Sequence, residues 1–183
     1  MIENPVTGER IEFRSTAAEG GPLRFDYYLA PGGFAVGEVD HVHPSQEERF
    51  EIQAGELSVR IDGDEWTATR GTRFAIPPET PHSIWNDGAS ELHASVEIEP
   101  ALDMETMFET TFGLARGGET DRRGIPNPLQ AAVIPDAFSE ELVLAFVPAP
   151  LQRAGVAALA PLGRLAGYRA RYARYSDRVA MEA

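Results

Sequence analysis

The chain has 183 residues, 43% hydrophobic and 25% charged, which suffices for one ordinary domain with a core and an appendage. Its formal net charge of -13 argues against a nucleic-acid partner, which needs cations to neutralise phosphates, and against a general affinity for anionic membranes. There is no cysteine, and all 16 basic residues are arginine, so disulfides, thiolate metal sites, thiol nucleophiles and Schiff-base lysines are excluded.

The first 21 residues carry charges at Glu3, Glu9, Arg10, Glu12 and Arg14 and no apolar run, so they do not read as a signal peptide, and a cytoplasmic location is expected. Alternation of apolar and polar residues marks strands at Leu23–Leu29 and at Leu57–Ile61. Further strands are expected around 11–16, 34–39, 48–54, 72–76, 82–86 and 91–98. Asp62-Gly63-Asp64, between ELSVRI and EWTAT, is a hairpin signal, because aspartate and glycine tolerate the positive φ of a tight turn. Turns spaced roughly ten residues apart over the first hundred residues predict a mainly β sandwich or small barrel.

Beyond Pro100 the pattern becomes helical. Met104, Met107, Phe108, Thr111 and Phe112 recur at helical intervals between Asp103 and Arg116, and 117–128 is a polar loop rich in glycine and proline. The stretch 142–163 holds one charge, Arg153, but its internal prolines predict several short helices in place of a membrane span. These helices are expected to pack on the barrel or on a second subunit. Residues 1–100 carry 19 acidic and 7 basic residues, so the arginine-rich tail GYRARYARYSDR (167–178) is expected against an acidic barrel surface, its own or a neighbouring subunit's, or else as a solvated helical face.

The chain has four histidines, and two of them, His41 and His43, sit one residue apart. Residues i and i+2 of a strand share a face at about 7 Å, so both imidazoles can converge on one ion. Glu48 lies a short turn further on. If Phe50 and Ile52 face the core, Glu48 shares their face and Glu47 looks out. His82 follows the proline-rich run IPPETPH and could fold onto the same ion. His93 alternates with Leu92 and Ala94 and falls on the more polar face, as a surface or interface histidine. Trp66 and Trp85 read as core or interface aromatics. Phe50, Phe74 and Ile84 are candidates to line a cavity.

His41-x-His43-x4-Glu48-x6-Gly55 resembles the first signature motif of the cupin superfamily, and Gly71-x5-Pro77-x-Glu79-x2-His82-x3-Asn86 resembles the second. The upstream glycine departs from the pattern, since Gly37 and Gly33 stand four and eight residues before His41 where the family usually places it six before. Glu79 stands where a glycine is usual. The resemblance covers roughly residues 20–100. It implies a cupin-type (jelly-roll) β-barrel at 1–100, followed by a helical C-terminal extension at 101–183. It also makes His41, His43, Glu48 and His82 the ligands of one divalent transition metal ion, Fe, Mn, Ni, Co or Zn.

Such a site implies a metal-dependent enzyme acting on a small organic substrate, with dioxygenase-like oxidation favoured by analogy and isomerisation a further possibility. The alternative is a non-catalytic small-ligand-binding or sensor barrel. No separate catalytic base is evident in the sequence. Barrels of this kind commonly pair, so a homodimer is expected.

Overall fold

The computed structural model describes residues 1–16 and 20–176. Eleven strands and three helices follow one another along the described chain. The strands are β1 (Ile2–Asn4), β2 (Glu9–Ser15), β3 (Leu23–Leu29), β4 (His41–Val42), β5 (Glu47–Ala54), β6 (Glu56–Ile61), β7 (Asp64–Thr69), β8 (Arg73–Ile76), β9 (His82–Trp85), β10 (Leu92–Glu99) and β11 (Val143–Leu144). The helices are α1 (Met104–Arg116), α2 (Pro128–Ala137) and α3 (Ala149–Leu165). All strand pairings are antiparallel, in a six-stranded sheet ordered β1-β2-β3-β10-β5-β8 and a five-stranded sheet ordered β11-β4-β9-β6-β7. From β3 to β6 the chain changes sheet at every strand, with β3 and β5 in the larger sheet and β4 and β6 in the smaller, so the two sheets are woven together around one core. The mainly β architecture with helices after residue 100 is the one expected.

Period-two alternation decides which face each strand buries. On β10, Leu92, Ala94, Val96 and Ile98 are buried while His93, Ser95 and Glu97 are half-exposed. On β5, Glu48, Phe50 and Ile52 point inward, and Glu47, Arg49 and Glu51 point outward. The outer face of the larger sheet is tied by ion pairs, among them Arg24–Glu97 and Arg49–Glu97, both at 2.6 Å. His93 belongs to this outer face, stacked on Tyr28 and 2.8 Å from Asp26 Oδ1.

The turns carry their own chemistry. Asp62 and Gly63 have φ of 50° and 86° and join the facing pair Ile61 and Asp64, the mirror-image two-residue turn that suits strand twist. Gly55, between β5 and β6, has φ 75°, and a Cβ there would lie 2.6 Å from the Glu91 carbonyl oxygen, so only glycine fits. The expected strand at 34–39 does not form. Phe34 makes one bridge to Trp85, after which Val36, Gly37 and Glu38 take φ of 48°, 67° and 60° and close a 3-10 turn, with Glu38 N–H bonded to the Ala35 carbonyl. That turn is held from outside by Arg123, whose guanidinium donates to the Gly37 carbonyl at 3.3 Å. A contact made by a distant loop overrides the local alternation.

Helix α1 starts after Asp103 and buries Met104, Met107 and Phe112 against the barrel, with the Phe108 ring edge-on to Phe25 at 5.7 Å. Where several short helices were expected, α3 is one continuous helix of 17 residues. Pro150 falls in its first turn, where no N–H is needed, whereas Pro161 stands inside the helix and costs it the bond to the Ala157 carbonyl without ending it. Gly163 lets α3 approach α2 closely, since a Cβ there would meet Val133 Cγ2 at 2.6 Å. Residues 169–176 are irregular, not helical, and lie on the helices. Arg171 pairs with Asp103 at 2.5 Å, Arg174 with Glu119 at 2.8 Å, and Tyr172 Oη donates to Gln130 at 2.6 Å. The tail's acidic partners are thus those at the two ends of α1, and Asp177 and Arg178 lie outside the described residues. Among the described residues no helix is long and apolar enough to cross a membrane.

Glu79 adopts φ 61°, the left-handed conformation that glycine takes without strain, and its N–H is bonded to the His43 carbonyl at 2.9 Å. A side chain there costs about 1 kcal/mol or more, against a smaller entropic cost for glycine. Its side chain is exposed. Glu79→Gly should therefore stabilise the fold by about 0.5–1 kcal/mol, read as a higher urea midpoint at unchanged slope. A lower midpoint would refute the strain.

Candidate metal centre

Antiparallel pairing of β4 with β9 sets His41 directly opposite His82. His43 follows β4 immediately, two residues along, and returns to the same side. All three are buried, and their candidate ligand nitrogens lie within 4.8 Å of one another. The ring centroids are 4.2 Å apart for His41 and His82, and 5.2 Å for each of the other two pairs. Glu48 reaches in from β5 in the opposite sheet, its Oε2 3.5 Å from His82 Nε2 and 3.8 Å from His43 Nε2. The structure therefore brings together all four residues singled out in the sequence, with Glu48 beside two of the three imidazoles.

Each imidazole is oriented by the backbone. His43 Nδ1 meets the Glu141 carbonyl at 2.5 Å, His82 Nδ1 the Thr80 carbonyl at 2.9 Å, and His41 Nδ1 the Val39 carbonyl at a longer 3.4 Å. A carbonyl only accepts, so a hydrogen sits on Nδ1 in each contact, and in the neutral ring the lone pair is on Nε2. His82 Nε2 is buried without a hydrogen-bond partner. Such a group is costly in a sealed interior unless something takes up its lone pair.

The electrostatics agree with this arrangement. Burial, joined by the neighbouring His82 and His43, holds the His41 pKa well below the usual histidine range. Burial also lowers that of His43, against the opposing pull of the Glu48 carboxylate. At His82 burial acts the same way, but Glu48 and the Thr80 carbonyl together outweigh it and raise the pKa. Two neutral imidazoles and a third paired with a carboxylate form a nitrogen-and-oxygen donor set, with Nδ1–H anchored, that fits a divalent transition metal.

The cluster opens on a cavity of about 430 Å³ between the sheets and the helices. Its walls are chiefly apolar, with Phe25, Phe108, Phe112 and Phe138 alongside Met104 and Met107. Phe50 and Ile84 line it as expected, whereas Phe74 lies behind Phe50, stacked on it at 4.9 Å. Trp66 packs edge-on against Phe74 and is part-exposed. Among the described lining residues Arg123 is the single cation.

Two contributors escape sequence reading. Glu141 supplies its carbonyl to His43 from 98 residues away, just before β11, the short strand that pairs with β4. Glu9 lines the same cavity, its Oε2 accepting from Thr7 Oγ1 at 2.7 Å and its Oε1 from Tyr27 Oη at 3.0 Å. Burial raises its pKa from 4.5 to about 7, only partly countered by the Thr7 and Tyr27 hydrogen bonds.

The Glu9 shift has a thermodynamic consequence. The folded carboxyl holds its proton more tightly than the unfolded one, so folding takes up a proton between the two pKa values. Stability is then greatest below about pH 4.5 and falls as the pH rises towards 7, by about 3 kcal/mol in all for this group. Glu9→Gln should abolish this component, so that the variant gains on the wild type between pH 5 and pH 8 in urea unfolding. A constant difference across that range would contradict it.

The family model Cupin_2, cupin domain, matches residues 25–98 of the chain. A sugar phosphate isomerase of the cupin superfamily from Silicibacter pomeroyi shares 21% identity over 52% of this chain and 62% of its own, at a TM-score of 0.46. A protein from Acidithiobacillus ferrooxidans shares 19% over 51% of this chain and 60% of its own, at 0.44. The chain thus spans about three fifths of the length of those two proteins. The Cupin_2 domain of an XRE family transcriptional regulator from Enterobacter cloacae shares 21% over 50% of this chain and 95% of its own, at 0.43. These likenesses concern the fold alone. The curated proteins gave no match.

Proposed function

From the premise that residues 25–98 are a cupin-superfamily domain, we propose that the protein is a metal-dependent enzyme acting on a small, largely apolar organic molecule. His41, His43, His82 and Glu48 would hold one divalent transition metal ion at the wall of the cavity. The observation that carries this reading is the convergence of three buried imidazoles, each with Nδ1 on a backbone carbonyl. When bound, Fe, Mn, Ni, Co or Zn supplies a Lewis-acid centre, and the redox-active members among them permit dioxygenase-like oxidation.

The chain's own residues do the rest. The carbonyls of Val39, Thr80 and Glu141 fix the ring orientations, and Glu48 contributes the negative charge that offsets a dication. The phenylalanine and methionine wall excludes water and orients an apolar body towards the cluster. A heavily phosphorylated substrate would need more than the lone Arg123 among the described lining residues, so the cavity favours an uncharged, hydroxylated molecule.

Elemental analysis of protein purified without chelator should give near one equivalent of Fe, Mn, Ni, Co or Zn, with a His43→Ala, His82→Ala double variant losing it. No metal in either protein, even after reconstitution, would overturn the metal reading. Oxygen uptake by the iron-loaded protein across a catechol and flavonoid panel tests the oxidative reaction. Tight binding of a panel member that is recovered unchanged would make the protein a binding module instead.

Pairing of two chains is part of the same reading. Phe146, Leu151, Leu162 and Leu165 are exposed in and before α3, more apolar surface than a lone helix usually leaves to water. Sedimentation of a single species near 20.0 kDa would count against a homodimer.

A further inference from the structure

Glu9 is a buried ionisable group of the cavity that the metal reading does not use. Strand β2 sets it in phase with Ile11, so it points inward where alternation calls for an apolar residue. Its contacts are the hydroxyls of Thr7 and Tyr27, one on each carboxyl oxygen. A carboxylate offers about four acceptor positions, so about two remain unfilled. Both Glu9 and Tyr27 line the cavity that also holds the histidine cluster. Tyr27 feels the charge of Glu9 and also that of Glu48, so its hydroxyl stands in the electrostatic reach of both carboxyls. The lining residues of α1, Met104, Met107, Phe108, Thr111 and Phe112, bring no charge towards Glu9. Arg123 of the 117–127 segment is exposed and donates to the Gly37 carbonyl.

We propose that Glu9 is a second ligand-contacting group of this cavity, accepting the hydrogen bond and then the proton of a hydroxyl on an apolar molecule lodged between it and the histidine cluster. The inference rests on the reading of the cavity as a ligand site. In the transfer the hydroxyl O–H bond breaks, its electron pair stays on the ligand oxygen, and the proton forms a new O–H bond on a Glu9 carboxylate oxygen. Ligand oxyanion and neutral carboxylic acid result, and no other reactant is required. A carboxyl poised at about 7 exchanges protons readily near neutral pH. A purely structural Glu9 would satisfy the same hydroxyls but would give no preference for a ligand hydroxyl.

The test compares binding of p-cresol and p-xylene, which differ by a hydroxyl in place of a methyl, to the full-length protein by competition NMR between pH 6 and pH 8. The wild type should favour p-cresol by about tenfold at pH 8, where the carboxylate is the acceptor, and by less at pH 6. Glu9→Gln should show a small preference that does not change with pH. Thr7→Val, which removes one hydrogen bond that lowers the Glu9 pKa, should move the midpoint of the wild-type pH dependence upward.

Equal binding of the two probes, no binding of p-cresol, or the wild-type pH dependence persisting in Glu9→Gln would each overturn the proposal. Metal content measured on the same samples separates the two ideas. Metal-free protein with an intact cresol preference removes the metal reading and leaves Glu9, and metal-loaded protein without that preference does the reverse.

Discussion

The centre depends on three backbone carbonyls that bind imidazole Nδ1–H groups. A histidine buried in an apolar interior has two nitrogens to satisfy, and its orientation is undetermined until one of them is fixed. Val39, Thr80 and Glu141 fix Nδ1, and the second nitrogen of each ring is thereby turned towards its neighbours. The ring positions follow from strand pairing, in which β4 and β9 bring His41 and His82 face to face. Glu48 arrives from the other sheet because Phe50 and Ile52, on the same side of β5, are core residues. Packing of the core and placement of the cluster are therefore one requirement.

Much of this was legible in the sequence, for reasons that can be stated. Strand period two puts His41 and His43 on one side and separates Glu48 from Glu47, and both consequences need only local geometry. Helix α1 was legible because its apolar residues repeat at helical spacing. The turn at Val36–Glu38 was not, because the Phe34–Val39 pattern is strand-like and the contact that bends it comes from Arg123. The continuous α3 was missed because proline was weighed as a stop, whereas Pro150 stands in the first turn and the helix runs on through Pro161. Glu141 leaves no trace in the sequence at all, since the group it contributes is a carbonyl that every residue possesses. Glu9 was hidden because a glutamate in a strand reads as an outward residue unless its partners are known.

The cavity sets one set of physical demands against another. Its phenylalanine and methionine walls lower the local polarity, which strengthens each polar contact made inside and penalises each charge left there. The same dryness lowers the pKa of His41 and of His43 and raises that of Glu9. An apolar lining with nitrogen donors on one part of its surface and a carboxyl on another suits a molecule with polar groups at its edges and a hydrocarbon body.

The hydrogen bond from His43 to Glu141 joins two parts of the chain that the sequence holds far apart. Glu141 lies in the segment that leads from α2 through β11 to α3, and β11 itself is hydrogen-bonded to the strand bearing His41. An ion that tightens the imidazoles must therefore also favour the docked state of that segment, by the same free energy with which docking favours the ion. Occupancy of the barrel's interior and order in the C-terminal helices then form a single equilibrium. Amide exchange in residues 138–165 would respond to whatever fills the centre, although those residues place no side chain among its four candidate ligands.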